Sequence, residues 1–215
     1  MTTYAVEDLK RDIRVALDQN MISDQLFDTG DIDTLSLEEI IESKIEDAAR
    51  VVMRDAPAYL LDGGVNFGDS IGWFSQAGYG GGYIQLPDDF LRLVSFQMSD
   101  WSRAVTNAIS EDDPLYARQS SRFPGIRGNT QKPVVAIVMH TAGLMLEFYS
   151  CSSGNNATIK RATYIPIPKI ENGYIEISEK LRPAVVHYAA YLTAITVGQA
   201  DIATALLNIS KDLMQ

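Results

Sequence analysis

Apolar residues recur every three or four positions at both ends of the chain and in short β-type runs in the middle. This change of period is what most narrows the folds open to its 215 residues. Near Tyr4 to Leu17, Leu9, Ile13, Ala16 and Leu17 share one face, which predicts an amphipathic helix. A polar, Asp-rich connection from Asp24 to Thr34 follows. Ser36 and Glu39 then form the reciprocal pattern of a capping box. From there Leu37, Ile40, Ile41, Ile45, Ala48, Val52, Ala56 and Tyr59 predict a helix of about 22 residues ending near Leu61, its last turn loosened by Pro57. The helical period returns after Ile177. Leu181, Ala184, Val185, Tyr188, Tyr191, Leu192 and Ile195 form one apolar face, Gly198 is a stop, and a final helix runs from Ala200 to Met214.

Between these ends the chain carries seven glycines from Gly64 to Gly82, together with Trp73, Phe74 and Tyr79, which reads as a loop or an irregular hairpin. Strand signals follow at Tyr83 to Leu86, Leu91 to Met98, Val134 to His140, Leu144 to Tyr149, Thr158 to Ile165 and Tyr174 to Ile177. Pairs separated by Ala142-Gly143 and by Ser152 to Asn156 read as antiparallel hairpins. The expected fold class is α+β: a helical bundle from the N- and C-terminal segments, residues 1–62 and 179–215, with an inserted antiparallel β region over residues 63–178.

Composition excludes several classes. Hydrophobic residues make up 46% and charged residues 21%, which fits neither disorder nor a fibrous repeat. No run approaches the about 18 apolar residues of a membrane helix, so no membrane partner is expected. The lone Cys151 forms no internal disulfide and no cysteine cluster for zinc. A net charge of -10 argues against a dedicated nucleic-acid binder. Residues 1–62 hold 15 Asp and Glu against 6 Lys and Arg, so the acidity belongs to the N-terminal quarter. From Pro114 to Lys132 the balance reverses: Arg118, Arg122, Arg127 and Lys132 stand with no acid among them. On residue type alone these four cations read as a solvated polar loop.

Catalytic patterns are incomplete. Asp28-Thr29-Gly30 matches the aspartic-protease tripeptide but lacks flanking apolar strands, and Asp28, Asp31 and Asp33 miss the spacing of a calcium loop. The run Gly78 to Gly82 leads into a strand rather than a helix, unlike a phosphate cradle. His140, His187 and Cys151 have no spacing that demands nucleophilic catalysis, and Glu111-Asp112-Asp113 reads as a solvated turn. No catalytic residue, cofactor site or metal site is assigned.

The most informative stretch runs from Tyr83 through Leu86-Pro-Asp-Asp-Phe-Leu-Arg-Leu93 to Ser99-Asp-Trp101 and Val105. A strand stops at Pro87, Asp88 and Asp89 hold a turn, and Phe90, Leu91 and Leu93 are available to pack. This strand, turn and Trp-to-Val continuation resembles the head-to-tail adaptor (connector) proteins of tailed bacteriophages, most closely those of the short-tailed type. Such sequences pair the motif with an N-terminal helical segment, a later Pro-led strand and an Ala/Tyr-rich C-terminal helix. Here these correspond to Ser36 to Leu61, Lys132-Pro133-Val134-Val135, and Leu181 to Val197 with Tyr188-Ala-Ala-Tyr191. The tight match covers about a tenth of the chain.

The resemblance implies a structural virion protein and no enzyme activity. It implies a homo-oligomeric ring, usually dodecameric, docked on the portal protein in the viral neck, receiving the next tail component and continuing the channel for genome DNA. A net-negative wall lets DNA slide through without binding. It further implies a place in the virion, after assembly in the host cytoplasm. Ile202, Leu206, Ile209 and Leu213 make a face that either closes the helical bundle or docks on the portal. In such a ring Arg118, Arg122, Arg127 and Lys132 form a mobile loop that contacts either DNA in the channel or a neighbouring subunit's acidic quarter, and charge arithmetic favours the neighbour. Two other readings stand beside this one: a small hydrolase using an acid pair or His187, and a monomeric binding module of the host cell.

Overall fold

The computed structural model describes residues 1–17, 36–68, 70–74, 80–123, 125–152 and 156–215. It is an α+β protein whose chain separates into two units: Met1–Asp62 with Ile167–Gln215, and Gly63–Pro166.

The terminal unit begins with a strand rather than a helix. β1 (Thr2–Ala5) precedes α1 (Val6–Ala16), so the expected helix from Tyr4 starts two residues later. α1 buries Val6, Leu9 and Ile13, with Leu17 just beyond its end. α2 (Leu37–Asp55) opens with the expected capping box: the Ser36 amide donates to a Glu39 carboxylate oxygen at 2.7 Å, and the Glu39 amide donates to Ser36 Oγ at 3.3 Å. It ends earlier than periodicity predicts. Ala56 precedes Pro57 and is extended (ψ 147°), because the proline ring disfavours helical backbone in the residue before it. A 3-10 turn at Ala58–Leu60 replaces the loosened last turn.

α4 (Arg182–Thr196) and α5 (Ala200–Asp212) complete the helices. Ala184, Ala189, Ala190 and Ala194 are fully buried on α4, and such small side chains let neighbouring helices approach closely. Gly198 ends α4 with a positive φ of 80°, and its amide donates to the Ile195 carbonyl. Arg182 at the start of α4 pairs with Asp12 of α1 and lies over the Tyr4 ring.

Residues 167–178 belong to this unit, which corrects the expected boundary at 178 and makes the unit mixed rather than purely helical. β9 (Ile170–Glu171) and β10 (Tyr174–Ile177) form a hairpin, and β10 pairs antiparallel with β1, from Thr2 opposite Ile177 to Ala5 opposite Tyr174. The turn is Asn172-Gly173, with φ of 53° and 81°, the left-handed pair that a two-residue hairpin requires.

The central unit holds two antiparallel sheets. In one, β8 (Ile159–Pro166) lies between β2 (Val65–Asn66) and β5 (Phe90–Met98). In the other the order is β3 (Gly72–Trp73), β4 (Gly80–Gln85), β7 (Gly143–Cys151), β6 (Val135–His140). The β6–β7 hairpin matches the sequence reading. The expected hairpin across Ser152 to Asn156 does not form: β7 and β8 lie in different sheets. β7 instead pairs with β4, where Gly82 lies opposite Phe148 and beside Gly72 of β3. A Cβ there would come within 2.4 Å of the Gly72 carbonyl oxygen and 2.8 Å of the Phe148 ring. Gly80 to Gly82 are therefore strand residues.

The core of this unit draws on both sheets, with Ile84, Leu93, Phe96, Met98, Trp101, Val135, Leu146 and Phe148 buried. The Leu86 to Val105 stretch supplies much of it. The Phe90 amide donates to the Pro87 carbonyl at 3.0 Å to close the turn, and Phe90 stacks on Tyr164. Tyr164 donates its hydroxyl to Asp89 at 2.9 Å. Burial and that carboxylate push the Tyr164 hydroxyl up to about 12. Trp101 meets the edges of Phe96 and Phe148, and Val105 exchanges two backbone hydrogen bonds with Phe96. Cys151 is buried in the same core, where desolvation, then Asp100, pushes its thiol up to about 12. It is a packing residue, not an activated nucleophile.

Candidate assembly surfaces

The basic stretch from Pro114 to Lys132 is folded onto the central unit. Asp113 caps a short helix, α3 (Pro114–Arg118), by accepting the Leu115 amide at 2.8 Å, so the acid turn has a local structural use. Tyr116 packs toward Ala136, Val138 and Tyr149. Its hydroxyl donates to Glu147 at 3.2 Å.

Glu147 on β7 is 5% exposed and gathers three groups. Tyr116 and Tyr149 donate their hydroxyls to one carboxylate oxygen, and His140 Nε2 lies 2.9 Å from the other. Burial, then Glu147, raises Tyr149 above its ordinary range, and the same causes raise Tyr116. A carboxylate this fully engaged acts as a clamp: it fastens α3 to the outer face of the sheet. The sequence does not single out Glu147. The only signal was an acid in the alternating run Leu144 to Tyr149, on the face opposite Leu146 and Phe148.

Beyond α3, the buried Gln119 orders the loop. Its side-chain amide donates to the Leu115 carbonyl at 2.8 Å, and its side-chain oxygen accepts the Gly128 amide at 2.9 Å. Asn129 Oδ1 accepts the amides of Gln131 and Lys132. The segment expected to be mobile thus has its own hydrogen-bond framework. Arg118, Arg122 and Lys132 are exposed on it, whereas Arg127 is half-buried. Phe123 (68% exposed) and Ile126 (53%) also face solvent, a feature that charge counting alone did not reveal.

On α5 the four expected docking residues divide. Leu206 is only 4% exposed, and it corrects the docking set: with Ala203 and Ser210 it forms the buried face of the helix. The Ser210 hydroxyl donates to the Ala184 carbonyl of α4 at 2.9 Å, fixing that orientation. Ile202, Ile209 and Leu213 are exposed.

The terminal unit also carries an acidic groove of about 410 Å³, lined by Glu39, Glu42, Ser43 and Glu46 of α2 and by Ile170 of β9. Lys10 pairs with Glu42 at 2.5 Å, and Glu46 accepts the Ile170 amide at 2.6 Å.

His187 bonds through Nδ1 to the Pro183 carbonyl oxygen of its own helix, and it belongs to a different unit from His140 and Cys151. Asp28-Thr29-Gly30 and the neighbouring aspartates lie outside the described residues. Among the described residues no group of three His, Cys, Asp or Glu is placed to hold a metal ion, and no helix is long and apolar enough to cross a membrane. No protein-family model and no curated protein matches the chain.

Proposed function

We propose that this chain is a structural subunit of a homo-oligomeric ring in the neck of a tailed bacteriophage, seated between the portal and the next tail component. Genome DNA passes through the ring without specific binding. The observation that carries this reading is the stretch from Leu86 to Val105, on which the adaptor resemblance rests. It is built into the core of the central unit through Leu93, Phe96 and Trp101, so the resemblance lies in fold-determining residues. A net charge of -10 supports a wall that repels phosphate.

In this reading Ile202 and Ile209 of α5 and Leu213 just after it meet the portal while Leu206 holds the helix to its own subunit. Exposed apolar residues at helical spacing are the usual anchors for docking into a partner's groove. The double variant Ile202→Glu/Ile209→Glu is expected to keep its thermal midpoint and lose portal binding by at least about tenfold in a co-sedimentation assay. Binding at the level of the unaltered chain would remove α5 as the docking element.

A further inference from the structure

We infer that the tip of the central unit, Arg118 and Arg122 with Phe123 and Ile126, docks into the α2 groove lined by Glu39, Glu42 and Glu46 on a second copy of this chain. The inference rests on the ring reading and names the two surfaces that join neighbouring subunits.

The tip has two properties that must be satisfied together. It presents guanidinium groups without a carboxylate between Pro114 and Lys132, and it exposes a phenyl ring and an isoleucine side chain to water. The phosphate backbone of duplex DNA satisfies the cations but gives the apolar pair nothing to bury against. A protein groove with an acidic rim and an apolar floor satisfies both.

The terminal unit offers such a groove. Glu39, Glu42 and Glu46 lie three and four residues apart on one face of α2, and Ile170 of β9 supplies the apolar side chain of the groove. Lys10 offsets one of the three carboxylates, leaving an excess of two negative charges for Arg118 and Arg122. The carboxylates are held before a partner arrives: Glu39 Oε2 by Ser36, Glu42 Oε2 by Lys10 and Glu46 Oε1 by the Ile170 amide. Each of these contacts uses one oxygen of its carboxylate, and an arriving guanidinium takes the other.

The tip is held as well, because Gln119 spans Leu115 and Gly128 while Glu147 clamps Tyr116. Two preorganised surfaces lose little conformational freedom on meeting. They are also different surfaces, so the contact is head-to-tail, the kind that closes a ring by rotation.

The test uses the full chain and reads its mass in solution over a concentration series. The tip variant Arg118→Glu/Arg122→Glu and the groove variant Glu39→Arg/Glu46→Arg are each expected to associate at least about a hundredfold more weakly than the unaltered chain, since each places like charges together. Mixed in equal amounts, they are expected to associate again, because the reversed tip matches the reversed groove. Phe123→Ser/Ile126→Ser, which alters only exposed side chains, is expected to weaken association about tenfold without lowering the thermal midpoint, so the test survives if the groove variant fails to fold.

An unaltered chain that stays monomeric throughout overturns the ring reading and this contact with it. If the unaltered chain assembles and the tip variant assembles equally well, the contact alone is overturned. A mixture that stays apart while the unaltered chain assembles also overturns the pairing. Tip-dependent binding to phosphatidylglycerol vesicles or to duplex DNA, with self-association unchanged, reassigns the tip and overturns the contact.

Discussion

Phe148→Ala is expected to lower the stability of residues 63–166 by about 3–5 kcal/mol, the range for emptying a large aromatic site in a packed core. Phe148 is fully buried on β7, with the edge of Trp73 at 5.5 Å and the rings of Phe96 and Trp101 at 5.7 and 6.4 Å. It also fills the space that Gly82 leaves on β4, so its loss opens a void next to two backbones that cannot collapse into it. For a unit of this size 1 kcal/mol moves the midpoint by about 4–8 °C, so a fall of at least about 12 °C is expected. Calorimetry on the full chain, with amide exchange on β4, β6 and β7, reads the effect. A shift of only a few degrees would mean that Phe148 is not central to this core. Because the chain has two units, the terminal unit's transition should stay near its original temperature.

Glu147→Ala is expected to cost about 1–3 kcal/mol, because it leaves the buried Tyr149 hydroxyl without its carboxylate acceptor, while the half-buried Tyr116 hydroxyl can turn to water. The substitution has a local signature that a general loss of packing lacks. α3 is fastened through Tyr116, so the Leu115 to Gln119 amides should exchange much faster than those of β5 and β8. Tyr116→Phe should reproduce the faster exchange with a smaller loss of stability, since it removes one donor and keeps the ring. Unchanged exchange over α3 in both variants would show that Glu147 does not hold the basic stretch. If the tip docks between subunits, Glu147→Ala should also weaken association while leaving every tip residue in place.

Local chemistry made much of the fold readable. The Ser36 and Glu39 box, the Gly198 stop and the strand ending at Pro87 are each set by neighbours within a few positions. The helix limits at Ala5 and Asp55 were less readable: β1 exists only because β10 is there to pair with it, and Pro57 acts through the residue before it. Strand partners were the weakest part. An apolar run reports that it is a strand, whereas its partner depends on which edge is free, and β4 takes β3 on one edge and β7 on the other, with Gly82 close against the Gly72 carbonyl of β3 and the Phe148 ring of β7.

The same distinction governs the surfaces. Charge is visible in composition, and the basic stretch was legible from it. Exposure is not, so Phe123 and Ile126 emerged only with the fold, and Leu206 could not be separated from Ile202 and Ile209 by spacing alone. On the α5 wheel those residues lie close together at the margin between buried and solvent faces, and the position of α4 decides which one turns inward. The Glu147 clamp joins residues from α3, β6 and β7, and no short-range pattern encodes it.

If copies of this chain close into a ring on the portal, negative-stain imaging of the purified protein, alone and mixed with a candidate portal protein, will show closed rings with an open centre, stacked coaxially on the portal in the mixture and absent for Arg118→Glu/Arg122→Glu. Particles that remain single subunits both alone and with the portal would contradict the ring reading.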